Sequence, residues 1–404
     1  GTGKAGRAYV FFGSATGLAT SPGWSQSGEN EDDSFGFSVA GAGDVNGDGY
    51  ADVIVGARNH AAAGRAYVFL GSAAGPGTSP LQFDGATGSY SFGFAVAGAG
   101  DVNGDGYADI LVSDRGYNSS TGRVYIYHGG ASGPDAKEDQ ILNGQWSQDW
   151  FGHSVSSAGD VNGDGYADVI IGAIGYDNLT STQAGAAYVY HGGTGGVDER
   201  WDWRQVGTSR DDWFGSSVAG AGDVNGDGYA DVIVGAKYQG NDNPGDWHRG
   251  AAYVYHGGAD GLSDGVWNWL AVGENDADRF GVSVAGAGDV NGDGYADVIV
   301  GAEEFGANVG RAYVSLGGLA GVASAPAWSD DGESSDSYFS GSVAGAGDVN
   351  GDGYADVVAG AIGYSSDTGK AYAYHGAGDN PAHDDQWGEE GVNTGDWFGF
   401  AVAG

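Results

Sequence analysis

Apolar residues in this chain come in short runs that return in a fixed order. One run opens with Phe-Gly and continues in small residues, as in Phe35-Gly-Phe-Ser-Val-Ala-Gly-Ala-Gly43. An Asp-rich stretch follows, and then an apolar run such as Val53-Ile-Val-Gly-Ala57. After a variable polar loop comes an alternating segment, Gly64-Arg-Ala-Tyr-Val-Phe-Leu-Gly71, with β-branched and aromatic residues at the period of a pleated strand. A weaker fourth run carries Trp or Phe: Trp24, Phe83, Trp201 and Trp203, Trp267 and Trp269, Trp328, Trp387. This order predicts four strands and no helix per unit. Units of roughly 40 to 60 residues with four strands apiece can bury their faces only against one another, as propeller blades do.

Complete units begin near residues 35, 92, 151, 214, 280 and 339, the last with Ser340 where the others have Gly after Phe. The 83 glycines concentrate in the first strand and the turns, where a missing side chain lets backbones approach. A disordered Gly-rich chain would lack the regular Val/Ile and aromatic spacing. Residues 1–34 supply only a third and a fourth strand, and residues 398–404 only a first, so together they predict a seventh blade shared between the termini. The reading is therefore all-β: one domain over residues 1–404, a seven-bladed β-propeller of four-stranded antiparallel blades. The equivalent of residues 42–58 is missing from the split blade. Either the natural chain continues past Gly404 with another such loop, or a neighbouring molecule donates the strand and a polymer results.

The Asp-rich stretch is Asp44-Val-Asn-Gly-Asp-Gly-Tyr-Ala-Asp52, and it returns from Asp101, Asp160, Asp223, Asp289 and Asp348. Positions 1, 3, 5 and 9 bring side-chain oxygens, position 7 its backbone carbonyl, and Gly at position 6 the positive φ that folds the loop back. The first set is Asp44, Asn46, Asp48, Tyr50 and Asp52; the second Asp101, Asn103, Asp105, Tyr107 and Asp109; the third Asp160, Asn162, Asp164, Tyr166 and Asp168. The fourth is Asp223, Asn225, Asp227, Tyr229 and Asp231; the fifth Asp289, Asn291, Asp293, Tyr295 and Asp297; the sixth Asp348, Asn350, Asp352, Tyr354 and Asp356. Carboxylates, an amide oxygen and a carbonyl without His or Cys suit calcium, one ion per loop, better than zinc, copper or magnesium. The plainer reading is that Asx/Gly turns merely end strands. Against it, like charges ~4 Å apart repel by about 4 kcal/mol at an effective dielectric near 20 unless a cation intervenes. The ions would staple blades rather than catalyse.

Composition narrows the partners. With 54 acidic and 15 basic residues the net charge is -39, so nucleic acid and anionic lipid surfaces are repelled. There is no Cys, hence neither a disulfide framework nor a thiol catalyst. No apolar run approaches the ~20 residues of a membrane span, and direct insertion is not expected. Calcium loops with affinities of roughly 10⁻⁴ to 10⁻³ M would fill only outside the cell, which points to an extracellular or cell-surface location. The chain contains no Met, not even at its start, as expected of a piece processed or trimmed from something longer.

The recurring Phe-Gly and Gly-Ala pairs around a D-x-N-x-D-G-x-x-D loop resemble the FG-GAP repeat. That repeat is best known from the seven-bladed propeller of integrin alpha chains and is also abundant in bacterial surface and secreted proteins. The resemblance covers essentially the whole chain. Integrin propellers usually carry the loop in only three or four blades, whereas all six complete units have it here; with the absence of Cys, this fits a prokaryotic relative. The resemblance implies that the acidic loops join strands one and two on a lower face and are structural. It also implies that partners meet the upper face, made by the connections between strands four and one and between strands two and three.

Several residues on those connections are candidates for contact with a partner: Tyr117, Tyr176, Tyr238, Trp247, Phe305 and Tyr364. The strand four to one loops are acidic and often aromatic, with Trp150, Trp213 and Trp397 either packing between blades or facing a partner. His128, His191, His256 and His375 end the third strand, where Phe12, Leu70 and Leu316 stand in other units, and so read as blade-edge packing rather than a metal site. Asn118-Ser-Ser120 and Asn178-Leu-Thr180 match glycosylation acceptors, without meaning in a prokaryote. The leading expectation is a non-enzymatic adhesion or assembly module that binds another surface protein, a glycan or copies of itself. The alternatives are a polysaccharide lyase-like enzyme, disfavoured by the few scattered Lys and Arg, and a self-assembling filament or sheath subunit.

Overall fold

The computed structural model describes residues 5–86, 89–177, 183–240, 248–263, 265–378 and 387–404. Among them lie six four-stranded antiparallel sheets and one two-stranded sheet, the blades of an all-β propeller. The chain divides into two compact units. The first contains the described residues of Gly1–Val10, Pro22–Asp160 and Asp164–Val206, and the second those of Phe11–Ser21, Val161–Gly163 and Gly207–Gly404. No helix among the described residues is long and apolar enough to cross a membrane.

In the first unit, blade one consists of Phe35–Gly43, Asp52–Ala57, Arg65–Phe69 and Leu81–Asp84, hydrogen-bonded in that order. Val39 pairs with Val55, Val55 with Tyr67 and Tyr67 with Gln82. The simple order has a geometric consequence. Connections one to two and three to four lie at one end of the blade, and connections two to three and four to one at the other. Register shifts at Phe35/Ser38 and Gly41/Gly43 bend the first strand, where Gly36 and Gly43 adopt φ of 83° and 76°. Blades two and three repeat the pattern over residues 92–143 and 151–206. In the second unit it recurs over residues 214–272, 280–331 and 339–390.

The core lies between sheets. In the first unit Ile54, Ala66, Val68 and Phe83 of blade one pack against Phe92, Val96, Ile110, Val112 and Tyr125 of blade two. Leu111, Val124, Ile126 and Leu142 meet Phe151, Val169, Ile171 and Tyr188 of blade three in the same way. In the second unit Ile299, Val314 and Trp328 meet Phe339, Val357, Tyr372 and Tyr374. The Phe that opens each four-stranded blade sits edge-on to the Tyr of its own third strand, with Phe92–Tyr125 at 5.1 Å and Phe339–Tyr372 at 5.2 Å, a favoured aromatic geometry. Gly64, at φ 90°, is held so close to blade two that an added Cβ would lie 2.0 Å from the Phe92 carbonyl oxygen. Ser340 stands where the others have glycine, at φ 65°, with its buried hydroxyl donating to the Arg311 carbonyl at 2.7 Å and accepting from the Ala302 N–H at 3.1 Å in compensation.

Three expectations are corrected. The two to three connections are not purely irregular: Tyr117–Ser120, Phe305–Asn308 and Tyr364–Asp367 form single turns, and His60–Ala62 a shorter one. Left-handed residues build these turns, such as Asn118, Ser119 and Ser120 at φ 48°, 59° and 62°. Blade two has a fourth strand, Gln140–Asn143, that lacks an aromatic; Leu142 supplies the buried side chain. Residues 398–404 make first-strand contacts without a ladder. Val402 N–H donates to Ser342 Oγ at 3.1 Å, as Val343 N–H does to Ser283 Oγ at 2.9 Å, but among the described residues no second strand pairs with the segment.

Candidate functional site

The acidic loops have one geometry, seen in full at Asp101–Asp109. Asp101 Oδ1 accepts the N–H groups of Gly104 and Asp105 at 2.6 and 3.1 Å, and its Oδ2 accepts that of Gly106 at 2.8 Å. Asp105 Oδ1 accepts from Tyr107 N–H at 3.0 Å, and its Oδ2 from the Asn103 side-chain amide at 3.0 Å. Asn103 Oδ1 accepts from Asp105 N–H at 2.8 Å. Asp109 is fully buried: Oδ2 takes the N–H of Val102 at 2.9 Å and Oδ1 that of Gly129, at the end of strand three, at 2.8 Å. The loops from Asp223, Asp289 and Asp348 repeat these bonds; the first loop repeats those to Asp48 and Gly49. In the third, Asp160 accepts from Asp164 and Gly165.

Loop amides thus hold the carboxylates separately, and among the described residues no three acidic or imidazole side chains gather around one point. The donor set nevertheless fits a hard cation. A carboxylate offers about four lone-pair directions, and the bonds above occupy only part of them. Within a loop the like charges are felt. Burial pushes the Asp231 and Asp297 carboxyls up to about 7; the backbone N–H bonds oppose it, while the Asp at positions 5 and 1 of the same loop add to it. Asp52 and Asp356 are raised in the same way by burial.

The loops also knit sheet to sheet, which the sequence did not reveal. Ala108 N–H of blade two donates to the Asp44 carbonyl at 3.0 Å, and Gly130 N–H to the Val45 carbonyl at 3.0 Å. The Tyr107 ring covers Gly47, where an added Cβ would meet it at 2.7 Å. In the second unit Tyr295 covers Gly226 and Tyr354 covers Gly292 alike. Gly at position 4, Tyr at 7 and Ala at 8 therefore have packing reasons to recur. Residues 11–21 make similar contacts within the second unit. Gly13 stands against the Val349 carbonyl as Gly317 does against that of Val224, and Trp387 Nε1 donates to the Ala19 carbonyl at 2.9 Å.

At the opposite end of the blades, the candidate contact residues are half-buried rather than free platforms. The Arg123 guanidinium lies 3.7 Å from the Tyr117 ring centre and that of Arg311 3.8 Å from Phe305. Lys370 stands 5.1 Å from Tyr364, and Arg204 donates to Tyr176 Oη at 3.2 Å. Tyr238 packs against Trp213 and His248. Each belongs to its own blade. Trp247 lies outside the described residues, as does the Asn178-Leu-Thr180 sequon.

In four of the strand four to one loops one buried acid serves the loop itself, while buried Ser89 and Ser337 stand in the loops before blades two and six. Asp33, Asp149, Asp212 and Asp278 are buried and accept N–H from Asn30, Trp146, Ser209 and Asn275. The histidines that end strand three pack against the next turn: added Cβ atoms at Gly196 and Gly321 would lie 2.9 Å from the Nε2 of His128 and His256.

Comparison with known proteins follows the same repeats. The family described as FG-GAP-like repeat matches residues 44–112, and the FG-GAP repeat matches residues 151–190, 214–255, 280–315 and 340–374, together more than half of the chain. The chain is similar to integrin alpha-5 of Xenopus laevis, 36% identical over 165 residues that make up 37% of this chain and 16% of that protein. It is 39% identical to human integrin alpha-7 over 155 residues, 37% of this chain and 13% of the relative. Integrin alpha pat-2 of Caenorhabditis briggsae matches at 34% over 232 residues, 53% of this chain and 18% of the relative. The chain therefore matches only a small part of the length of each of these relatives.

Proposed function

Since this chain belongs to the FG-GAP repeat family and is an integrin-like β-propeller, we propose that it is a calcium-stabilised extracellular binding module. It holds another surface protein through the loops that join strands two to three and four to one, in adhesion or assembly. What carries this reading is the contrast between the two ends of each blade. One end has the same acidic loop six times, with its residues committed to turns and to the neighbouring sheet. The other end has loops that differ from blade to blade, carry aromatic residues, and hold consecutive left-handed residues. Such backbone costs about 1 to 2 kcal/mol per residue, and strain of this kind concentrates where a surface is shaped for use.

In each loop the side chains at positions 1, 3, 5 and 9, with the carbonyl at position 7, would hold one calcium ion: Asp44, Asn46, Asp48, Asp52 and Tyr50 in the first. The ion supplies the positive charge that the loop lacks. Residues 1–34 with 398–404 are proposed as a seventh, shared blade. The module is non-catalytic, its carboxylates serving structure. Isothermal titration of the calcium-stripped chain should find six equivalents; uptake of one or none would overturn the assignment. Release of any product in a polysaccharide depolymerisation screen would return the enzyme reading.

A further inference from the structure

In a chain with 54 acidic residues, three of the seven half-buried arginines meet a carboxylate, and Arg123 and Arg204 donate to the neutral oxygens of Asn143 and Tyr176. Arg65 holds Asp84 and Glu29, Arg279 holds Glu303 and Glu304, and Arg311 holds Asp331 and Glu274. The remaining two lie in the first unit. Arg58 and Arg115 directly follow the second strands of blades one and two, at the end that carries the variable loops. Among the described residues neither has an ion pair. Arg58 lies over the Phe37 ring at 3.8 Å, and Arg115 over Phe94 at 4.1 Å, with Arg58 5.6 Å from that same Phe94 ring. Both are half-buried, and Arg58 Nε is enclosed without a hydrogen-bond partner. Arg115 Nη1 is 2.9 Å from His153 Nδ1; the arginine must donate, so the neutral imidazole keeps its proton on Nε2 and brings no negative charge.

We propose that Arg58 and Arg115 form a carboxylate-binding site for an Asp or Glu side chain presented by a protein partner. Two desolvated guanidiniums flanking one ring, with no counter-ion, are unfavourable alone. A carboxylate received by planar N–H forks relieves that cost with charge-assisted hydrogen bonds. The strain is visible in the proton affinities. Burial holds Arg58 below its usual value, and burial together with the Arg58 charge brings Arg115 down to about 10. The occupant is a protein side chain rather than an acidic sugar for two reasons. The Phe37 and Phe94 rings, which a sugar would need as stacking platforms, each already carry a guanidinium. A uronate polymer bears a charge on every residue and is repelled by a chain of net charge -39 far more strongly than one carboxylate on a neutral segment. The inference rests on the reading of the chain as a binding module.

The test follows the side-chain Nε–H signals of the nitrogen-labelled arginines in the calcium-loaded chain, with Arg58→Lys and Arg115→Lys as assignment variants. Titrants are the blocked peptide acetyl-Gly-Glu-Gly-amide, its Gln counterpart, and trigalacturonate. The Glu peptide is expected to shift the Arg58 and Arg115 signals saturably, with the Gln peptide weaker by at least about tenfold. Equal response to the two peptides, no saturable shift, or saturation by trigalacturonate without the Glu peptide overturns the proposal. The readout uses the wild-type chain, so a poorly folding variant does not blunt it. A chain that takes up calcium but leaves both arginine signals unmoved loses only the carboxylate site, while failed calcium uptake with a positive peptide response loses only the scaffold reading.

Discussion

At the scale of single residues, the nine-residue loop separates into positions with different duties, and mutation distinguishes them. Asp109 is buried and accepts the N–H groups of Val102 and Gly129, so Asp109→Ala should destabilise the chain with or without calcium, by about 2 to 5 kcal/mol for two orphaned donors. Asp105 is exposed and bonded only within its loop. Asp105→Ala should leave the calcium-free melt nearly unchanged and lower the titrated stoichiometry by one ion. Equal effects of the two substitutions in chelator would contradict this division. Asp149 offers a pH test away from the loops. Burial pushes its carboxyl up to about 6, against the pull of the Trp146 and Gln145 N–H groups, from an unfolded value near 3.9. A raised carboxyl means that the folded state binds the proton more tightly, so its stabilising contribution is complete below pH ~4 and is lost as pH rises through about 6. Asp149→Asn keeps an acceptor for both N–H groups and removes that dependence. In urea unfolding with calcium present, the variant should be more stable than the parent above pH ~6 and lose the advantage below pH ~4.

At the scale of elements, each blade depends on its neighbour. Phe92 is fully buried between Tyr125 and the blade-one core, and Phe92→Ala should cost about 3 to 5 kcal/mol by thermal or urea unfolding. Trp269 Nε1 donates to the Ala323 carbonyl in the next blade at 2.9 Å; in blade two Gln140 does the same work, donating to the Val197 carbonyl at 3.0 Å and accepting its N–H at 2.8 Å. That substitution explains why blade two escaped an aromatic search for its fourth strand. Strands one to three were legible because alternation and the Phe-Gly pair report directly on burial. The left-handed turns at Asn118, Ser119 and Ser120 were not, since three ordinary polar residues carry no signal that tertiary contacts will force positive φ. The acidic loops were legible as a donor set. Their second role was not, because Tyr107 covering Gly47 joins residues sixty positions apart. Likewise the buried Asp33, Asp149, Asp212 and Asp278 were indistinguishable in sequence from their exposed acidic neighbours.

At the scale of the molecule, a chain with no disulfides and a net charge of -39 holds together against its own repulsion. Sheet-to-sheet packing supplies the core, and six doubly charged ions would remove the worst of the repulsion where the loops of successive blades interlock. Binding that is tied to folding stabilises by mass action. Its effect should therefore grow with free calcium and should not be reproduced by monovalent salt, which screens exposed charges but does not coordinate. The most direct test is calorimetric unfolding of the intact chain with millimolar calcium and with excess chelator, with magnesium and added sodium chloride as controls. The account predicts a steep drop in the melting temperature on chelation, restored by calcium and far less by magnesium or salt. A melting temperature that does not change when calcium is removed would contradict it.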